Sequence, residues 1–171
     1  MKKILLKVKP FQETLHADMC GPASLKIVLD YYGVHKTEKE LAELTKVIPC
    51  LGVDDKSIAD VARSLHFKVT IKNKSTFADV EKWLGKGVPV IVDWFTRGRQ
   101  DYDNSEVPDG HYSVVIGLDD KYIYLQDPEI GGQRKITHND FMRVWFDFTS
   151  YSIKPNELII RQIIAIYPKT K

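Results

Sequence analysis

Apolar residues recur at three- and four-residue steps through the first half of this chain. In the second half they fall into alternating or short continuous runs. Ala23 and Ile27, with Leu25, Val28, Leu29 and Tyr32, share a helical face, which predicts a helix from about Cys20 to Tyr32. Pro22 suits its first turn, where a missing N–H costs nothing, and Gly33 suits its end. Thr37 and Glu40 have the spacing of a capping box, and Leu41 and Leu44 follow, so a second helix should run to about Lys46. Pro49 and Gly52 mark a loop. Asp54 or Asp55 then caps a third helix carrying Ile58, Val61, Ala62 and Leu65. Residues 67–71 alternate like a strand. Thr76 to Asp79 opens a fourth helix with Val80, Trp83 and Leu84, closed at Gly85 and Gly87.

After residue 87 the period changes. Residues 88–94 read as a buried strand, 96–110 as a long polar loop and 111–118 as another strand. Asp119 and Asp120 turn into a strand over 122–127, so the last two strands should form a hairpin. Gly131 and Gly132 make a further turn, a short helix runs from Thr137 to Trp145, and 159–167 is the last strand. Residues 7–11 form an extended lead-in. Helices first and an antiparallel sheet after predict an α+β fold. The 171 residues suit a single domain over 1–171, with no internal repeat, low-complexity tract or linker.

Charge narrows the function classes. Twenty-five basic and 23 acidic residues leave a net charge of +2, which predicts no nucleic-acid footprint. Lys2, Lys3, Lys7, Lys9, Lys169 and Lys171 read as solvated ends. No apolar run approaches the ~20 residues of a membrane-spanning helix. The start imitates a signal peptide until Lys7 and Lys9 interrupt it, so a cytoplasmic location is expected. Two cysteines, Cys20 and Cys50, make no disulfide framework, and no Cys20–Cys50 bond is expected in the reduced protein. No spacing of zinc ligands is present, and neither a metal nor a cofactor is expected.

Four residues carry the candidate chemistry. Cys20 stands at a predicted helix start, where the positive end of the helix stabilises a thiolate. Gly21 lets a substrate backbone come close. His111 opens an apolar strand at the mouth of the long loop, and a strand holds an imidazole more rigidly than a loop does. Asp127 ends the partner strand of the hairpin, where a carboxylate can accept from the imidazole and fix its tautomer. Gln12 precedes the cysteine, and its amide can donate to an oxyanion together with the Cys20 N–H. Each has a plainer reading: an inert core cysteine, a surface histidine, an aspartate opening a turn, a common glutamine. What lifts them is their order along the chain: amide, thiol, imidazole, carboxylate. The other histidines fit less well. His16 lies before the helix, His35 and His66 follow helix ends, and His138 reads as exposed.

Residues 11–25, 111–117 and 125–128, with 51–55 and 86–92, resemble papain-like cysteine peptidases. They look most like the bacteriocin-processing, double-glycine leader peptidases in a stand-alone form, since no transporter sequence follows. The resemblance implies a papain-like fold, with the nucleophile helix packed on a C-terminal antiparallel sheet. It also implies Cys20 as nucleophile, His111 as base, Asp127 as orienter and Gln12 as oxyanion donor. One departure from the family pattern is the stretch between Gln12 and Cys20, which is slightly long. A second is Met19, which stands between Asp18 and the cysteine where relatives often place the aspartate next to it.

The function expected is thiol-dependent hydrolysis of a peptide or amide bond through an acyl-enzyme, acting on a peptide or protein substrate. Two alternatives share the fold: an acyltransferase using the same Cys-His pair, and a peptidase-like module that binds peptides without cleaving them. The loop over 96–110, with Arg97, Arg99, Asp101, Asp103 and Asp109, is expected to border the cleft. Cys50 is expected in a loop or in the core, with a place lining the site as the alternative.

Overall fold

A computed structural model describes residues 3–15, 17–49, 51–96, 110–148 and 154–169. After β1 (Ile4–Leu5) and a short 3-10 turn at Ala17–Met19 come three helices: α1 (Cys20–Tyr31), α2 (Glu38–Thr45) and α3 (Asp55–Ser64). Next come β2 (Phe67–Lys72), α4 (Phe77–Leu84), β3 (Val90–Phe95), β4 (Gly110–Leu118), β5 (Tyr122–Asp127) and β6 (Gly132–Thr137). The remainder is α5 (His138–Val144), β7 (Phe146–Phe148), β8 (Leu158–Ile160) and β9 (Ile163–Pro168).

Local chemistry explains the boundaries. Thr37 and Thr76 each accept from the backbone N–H three residues on, while Glu40 and Asp79 reach back, so α2 and α4 open on complete capping boxes. Of the two aspartates before α3, Asp54 is the cap and accepts from Ser57 N. β5 occupies the expected residues, 122–127.

Seven of the described strands form one antiparallel sheet in the order β2-β9-β3-β4-β5-β6, with β1 also on β4, and β7 and β8 pair separately. This is the expected α+β layout. Alternation divides the sheet between two cores. Ile91, Val114, Ile116, Ile164 and Ile166 pack with α1, α2 and α3 on one face. Val90, Val92, Trp94, Val115 and Leu125 pack with α4 and α5 on the other. The fourth helix thus covers the face away from α1.

Three features depart from the sequence reading. β6 fills the stretch between the turn read at Gly131 and Gly132 and the helix start at Thr137, where the pattern assigns no strand, and pairs along its whole length with β5. The single last strand is two, because Arg161 takes a left-handed conformation (φ 49°) and donates its N–H to Trp145 O. β8 then leaves the main sheet to pair with β7. The extended lead-in is tied to the sheet by bonds the pattern does not reveal. Leu6 N donates to Ile116 O, Gln126 Nε2 to Val8 O (2.8 Å) and Glu13 N to Pro128 O (2.9 Å), which lays residues 6–13 beside β4 and β5.

Candidate active site

α1 begins without a side-chain cap: Met19 holds the N-cap position and makes no capping bond. The positive end of a twelve-residue helix is therefore left to whatever lies at Cys20. Cys20 is buried, with 8% of its surface exposed. Gly21 is needed beside it, because a Cβ there would overlap Val53 and touch Tyr112.

His111 lies opposite Trp94 across the β3–β4 ladder, and its ring meets the indole edge-on at 5.9 Å. Trp94 is held in turn by Nε1 donating to Ser113 Oγ at 3.0 Å. His111 Nε2 donates to Asp127 Oδ1 at 2.7 Å, and both side chains are fully buried. Asp127 Oδ1 also accepts from Glu129 N, while Arg134 Nε bonds the other oxygen. The strand ends thus meet as the hairpin predicts. Burial by itself disfavours the His111 imidazolium. The Asp127 carboxylate outweighs it, with a further contribution from Cys20, and holds the imidazole pKa well above its ordinary value. With Nε2–H committed to Asp127, the neutral ring keeps its lone pair on Nδ1.

Several contributing residues were not legible in the sequence. Arg134 sits on β6, the strand the pattern missed, and pairs with both Asp127 and Glu129. Glu13 is brought in by the lead-in, and its carboxyl is pushed up to about 7, first by burial, then by Asp127, Glu129 and Glu38, with His111 opposing. Its Oε2 has no hydrogen-bond partner among the described residues. A carboxyl whose folded pKa exceeds its unfolded value binds its proton more tightly in the native state. Its protonated form stabilises the fold below about pH 4.5 and up to about 7, and that contribution is lost as pH rises through the folded value. Glu13→Gln should therefore raise the melting temperature relative to the natural protein at pH 8 and change it little at pH 5. Thermal unfolding at the two pH values checks this.

Gln12 is not drawn inward. Its side chain is exposed, and Nε2 donates to Glu129 O at 3.2 Å. His35 bonds Asp30 at the surface. His138 is half-buried and stacks on Phe77 with ring centres 4.1 Å apart, so it is less exposed than expected. Cys50, His16 and residues 97–109 of the long loop lie outside the described residues. His111, Asp127 and Glu129 could present three ligand atoms within 4.8 Å of one another to a metal ion. Arg134 already sets its positive charge on both carboxylates there, an arrangement that suits holding an imidazole better than receiving a second cation.

Against this geometry, residues 5–153 match the model of the Peptidase_C39 like family. The chain belongs to that family. Two proteins that bear only uncharacterized descriptions are similar to it. YvpB of Bacillus subtilis (strain 168) is 26% identical over 89% of this chain and 78% of its own length. A protein of Methanothermobacter marburgensis is 32% identical over 66% of each. Among solved structures, a C39-like peptidase from Bacillus anthracis superposes with a TM-score of 0.73 at 18% identity, covering 100% of both chains. The peptidase domain of Streptococcus ComA, a bi-functional ABC transporter, gives 0.69 at 21%, covering 95% of this chain and 99% of that one. A double glycine motif protease from an AMS/PCAT transporter, solved with a leader peptide, gives 0.67 at 19%, covering 99% and 100%. The fold is therefore that of the C39 peptidases, and family membership supports a peptidase-like character. No helix among the described residues is long and apolar enough to cross a membrane.

Proposed function

We propose that the protein is a cysteine peptidase, hydrolysing a peptide or amide bond of a peptide substrate through an acyl-enzyme. The observation that carries this reading is the buried 2.7 Å His111–Asp127 pair, whose imidazolium is favoured by Asp127 and by Cys20, the first residue of an uncapped helix. Cys20 Sγ adds to the substrate carbonyl carbon, and the C–N bond breaks as His111 Nδ1–H gives its proton to the leaving amine. Water then attacks the thioester carbonyl carbon, losing a proton to Nδ1; the C–S bond breaks, Cys20 Sγ is regenerated as the thiolate beside the imidazolium, and the carboxylic acid departs. Asp127 holds the ring throughout, and Arg134 holds Asp127. The Cys20 N–H and, as the second donor, the Gln12 amide stabilise the oxyanion.

For Gln12 to serve, its amide must leave the Glu129 carbonyl and swing over the cysteine. Gln12→Ala should then lower kcat by about 10²–10³ with a smaller change in KM. An unchanged kcat would leave Gln12 as a strut for the turn at Glu129. The reading as a whole is tested by digesting a peptide library and reading products by mass. The natural protein should give discrete cleavages that Cys20→Ala does not, and identical product sets would refute it.

A further inference from the structure

Next to α1, a cavity of about 340 Å³ opens between the loop preceding α3 and the end of the sheet. Its size is that of a site for one side chain or a small ligand. Leu51, Val53, Tyr112, Phe148 and Ile159 supply apolar wall, and Leu51 at the mouth is 45% exposed. The inner end is different. Asp93 lines it, is 2% exposed, and neither of its carboxyl oxygens has a hydrogen-bond partner of ordinary geometry among the described residues. Asp147 lines the same end from β7, and the absence of a side chain on Gly110 makes room for it, since a Cβ there would overlap its carboxyl group.

A buried carboxyl facing another carboxyl is a poor arrangement for an empty structural site. Burial pushes the Asp93 pKa well up, Asp147 and then Cys20 push it further, and His111 opposes them. After Asp147, the groups acting on its charge are Cys20 and His111 of the candidate active site, so the cavity lies on the same side of the molecule as Cys20. Gly21 touches Val53 and Tyr112, two of its walls, which gives the same placement from contacts. Asp54 and Asp55 add acidic charge to the lining, although Asp54 caps α3 and Asp55 accepts from Gln162. Lys46 lines the exposed side and is the one cation among the described lining residues.

We propose that this cavity is the specificity subsite of the peptidase and takes an arginine or lysine side chain of the substrate, its stem along the apolar walls and its cationic tip against Asp93 and Asp147. This rests on the cysteine-peptidase reading for the identity of the substrate. The order of surfaces favours a side chain over a free amine: an apolar passage followed by a carboxyl end matches a long aliphatic stem with a charged tip. The guanidinium supplies donors to the Asp93 and Asp147 oxygens in place of the contact between the two carboxyls.

The test uses peptidyl chloromethyl ketones carrying arginine, or its neutral isostere citrulline, at each of the three positions nearest the reactive carbonyl. Cys20 labelling is followed by mass. At one position arginine should label at least about tenfold faster than citrulline. Asp93→Asn should bring that ratio close to one, and Lys46→Gln, an exposed change, should raise it by about two- to threefold. A ratio near one at all three positions overturns the proposal, as does a preference that Asp93→Asn leaves intact. If agmatine protects Cys20 while the ratio stays at one, the cavity takes a free amine and the proposal fails. A separate arm does not need the thiol: calorimetry should show acetyl-arginine amide binding at least about tenfold more tightly than acetyl-citrulline amide. That binding difference without reaction at Cys20 would refute the peptidase reading and keep the cationic subsite. Reaction at Cys20 without that difference would do the reverse.

Discussion

Iodoacetamide at neutral pH should alkylate Cys20 faster than a free thiol of pKa about 8.5, and Cys50 more slowly. Two structural facts support the expectation. α1 opens with no side-chain cap, and the imidazolium of His111 is favoured by Asp127 and Cys20 against its burial. His111→Ala removes the cation that favours the thiolate, so alkylation of Cys20 should slow. Asp127→Asn should slow it less, because that change chiefly disturbs the orientation of the ring. Mass mapping of labelled peptides separates the two cysteines. Turnover of any peptide found to be cleaved should fall by about 10⁴ or more in Cys20→Ala and in His111→Ala, since nucleophile and base act as a unit. Equal labelling of both cysteines, insensitive to His111→Ala, would make Cys20 an ordinary thiol and favour a peptide-binding module.

Arg134→Met should be the most damaging single change to stability outside the apolar core. Asp127 is fully buried and Arg134 is only 10% exposed, so the substitution leaves a buried carboxylate beside Glu129 with His111 as its remaining charged partner. Breaking such a pair by removing one partner costs about 3–5 kcal/mol. In a chain of this length that is a fall in melting temperature on the order of 10 °C. Adding Asp127→Asn to Arg134→Met should recover part of the loss, because the carboxylate charge that Arg134 offset goes too. Thermal unfolding of the two single variants and the double variant measures the coupling. Strictly additive losses would show that Arg134 acts through packing of its stem and not through Asp127.

What was legible in the sequence was local. The helical face from Ala23 to Tyr32, the capping boxes at Thr37 and Thr76, and the AspAsp turn between β4 and β5 are each decided by residues within a few positions of one another. The hairpin also carried information about the site, because pairing β4 with β5 is enough to bring His111 to Asp127. The order of amide, thiol, imidazole and carboxylate supplied the family resemblance, and the match over residues 5–153 bears out the C39 peptidase fold.

Only the tertiary structure decided the rest. Residues 133–136, after the turn at Gly131 and Gly132, carry no strand signal of their own, yet they belong to β6 because β5 offers a complete ladder to pair with, and that pairing brings in Arg134. Residues 159–167 read as one strand, but Arg161 and its bond to Trp145 O divide them, sending β8 to β7 and setting Asp147 beside Gly110. Glu13 and Gln12 are a single step apart in a lead-in with no periodicity. The backbone bond from Glu13 to Pro128 turns one toward His111 and leaves the other at the surface on Glu129. In each case the partner lies far along the chain, and the choice depends on which backbone groups and carboxylates remain to be satisfied once the sheet has closed. Periodicity records which face of an element is apolar. It does not record which distant strand edge, cation or carboxyl group that element will meet.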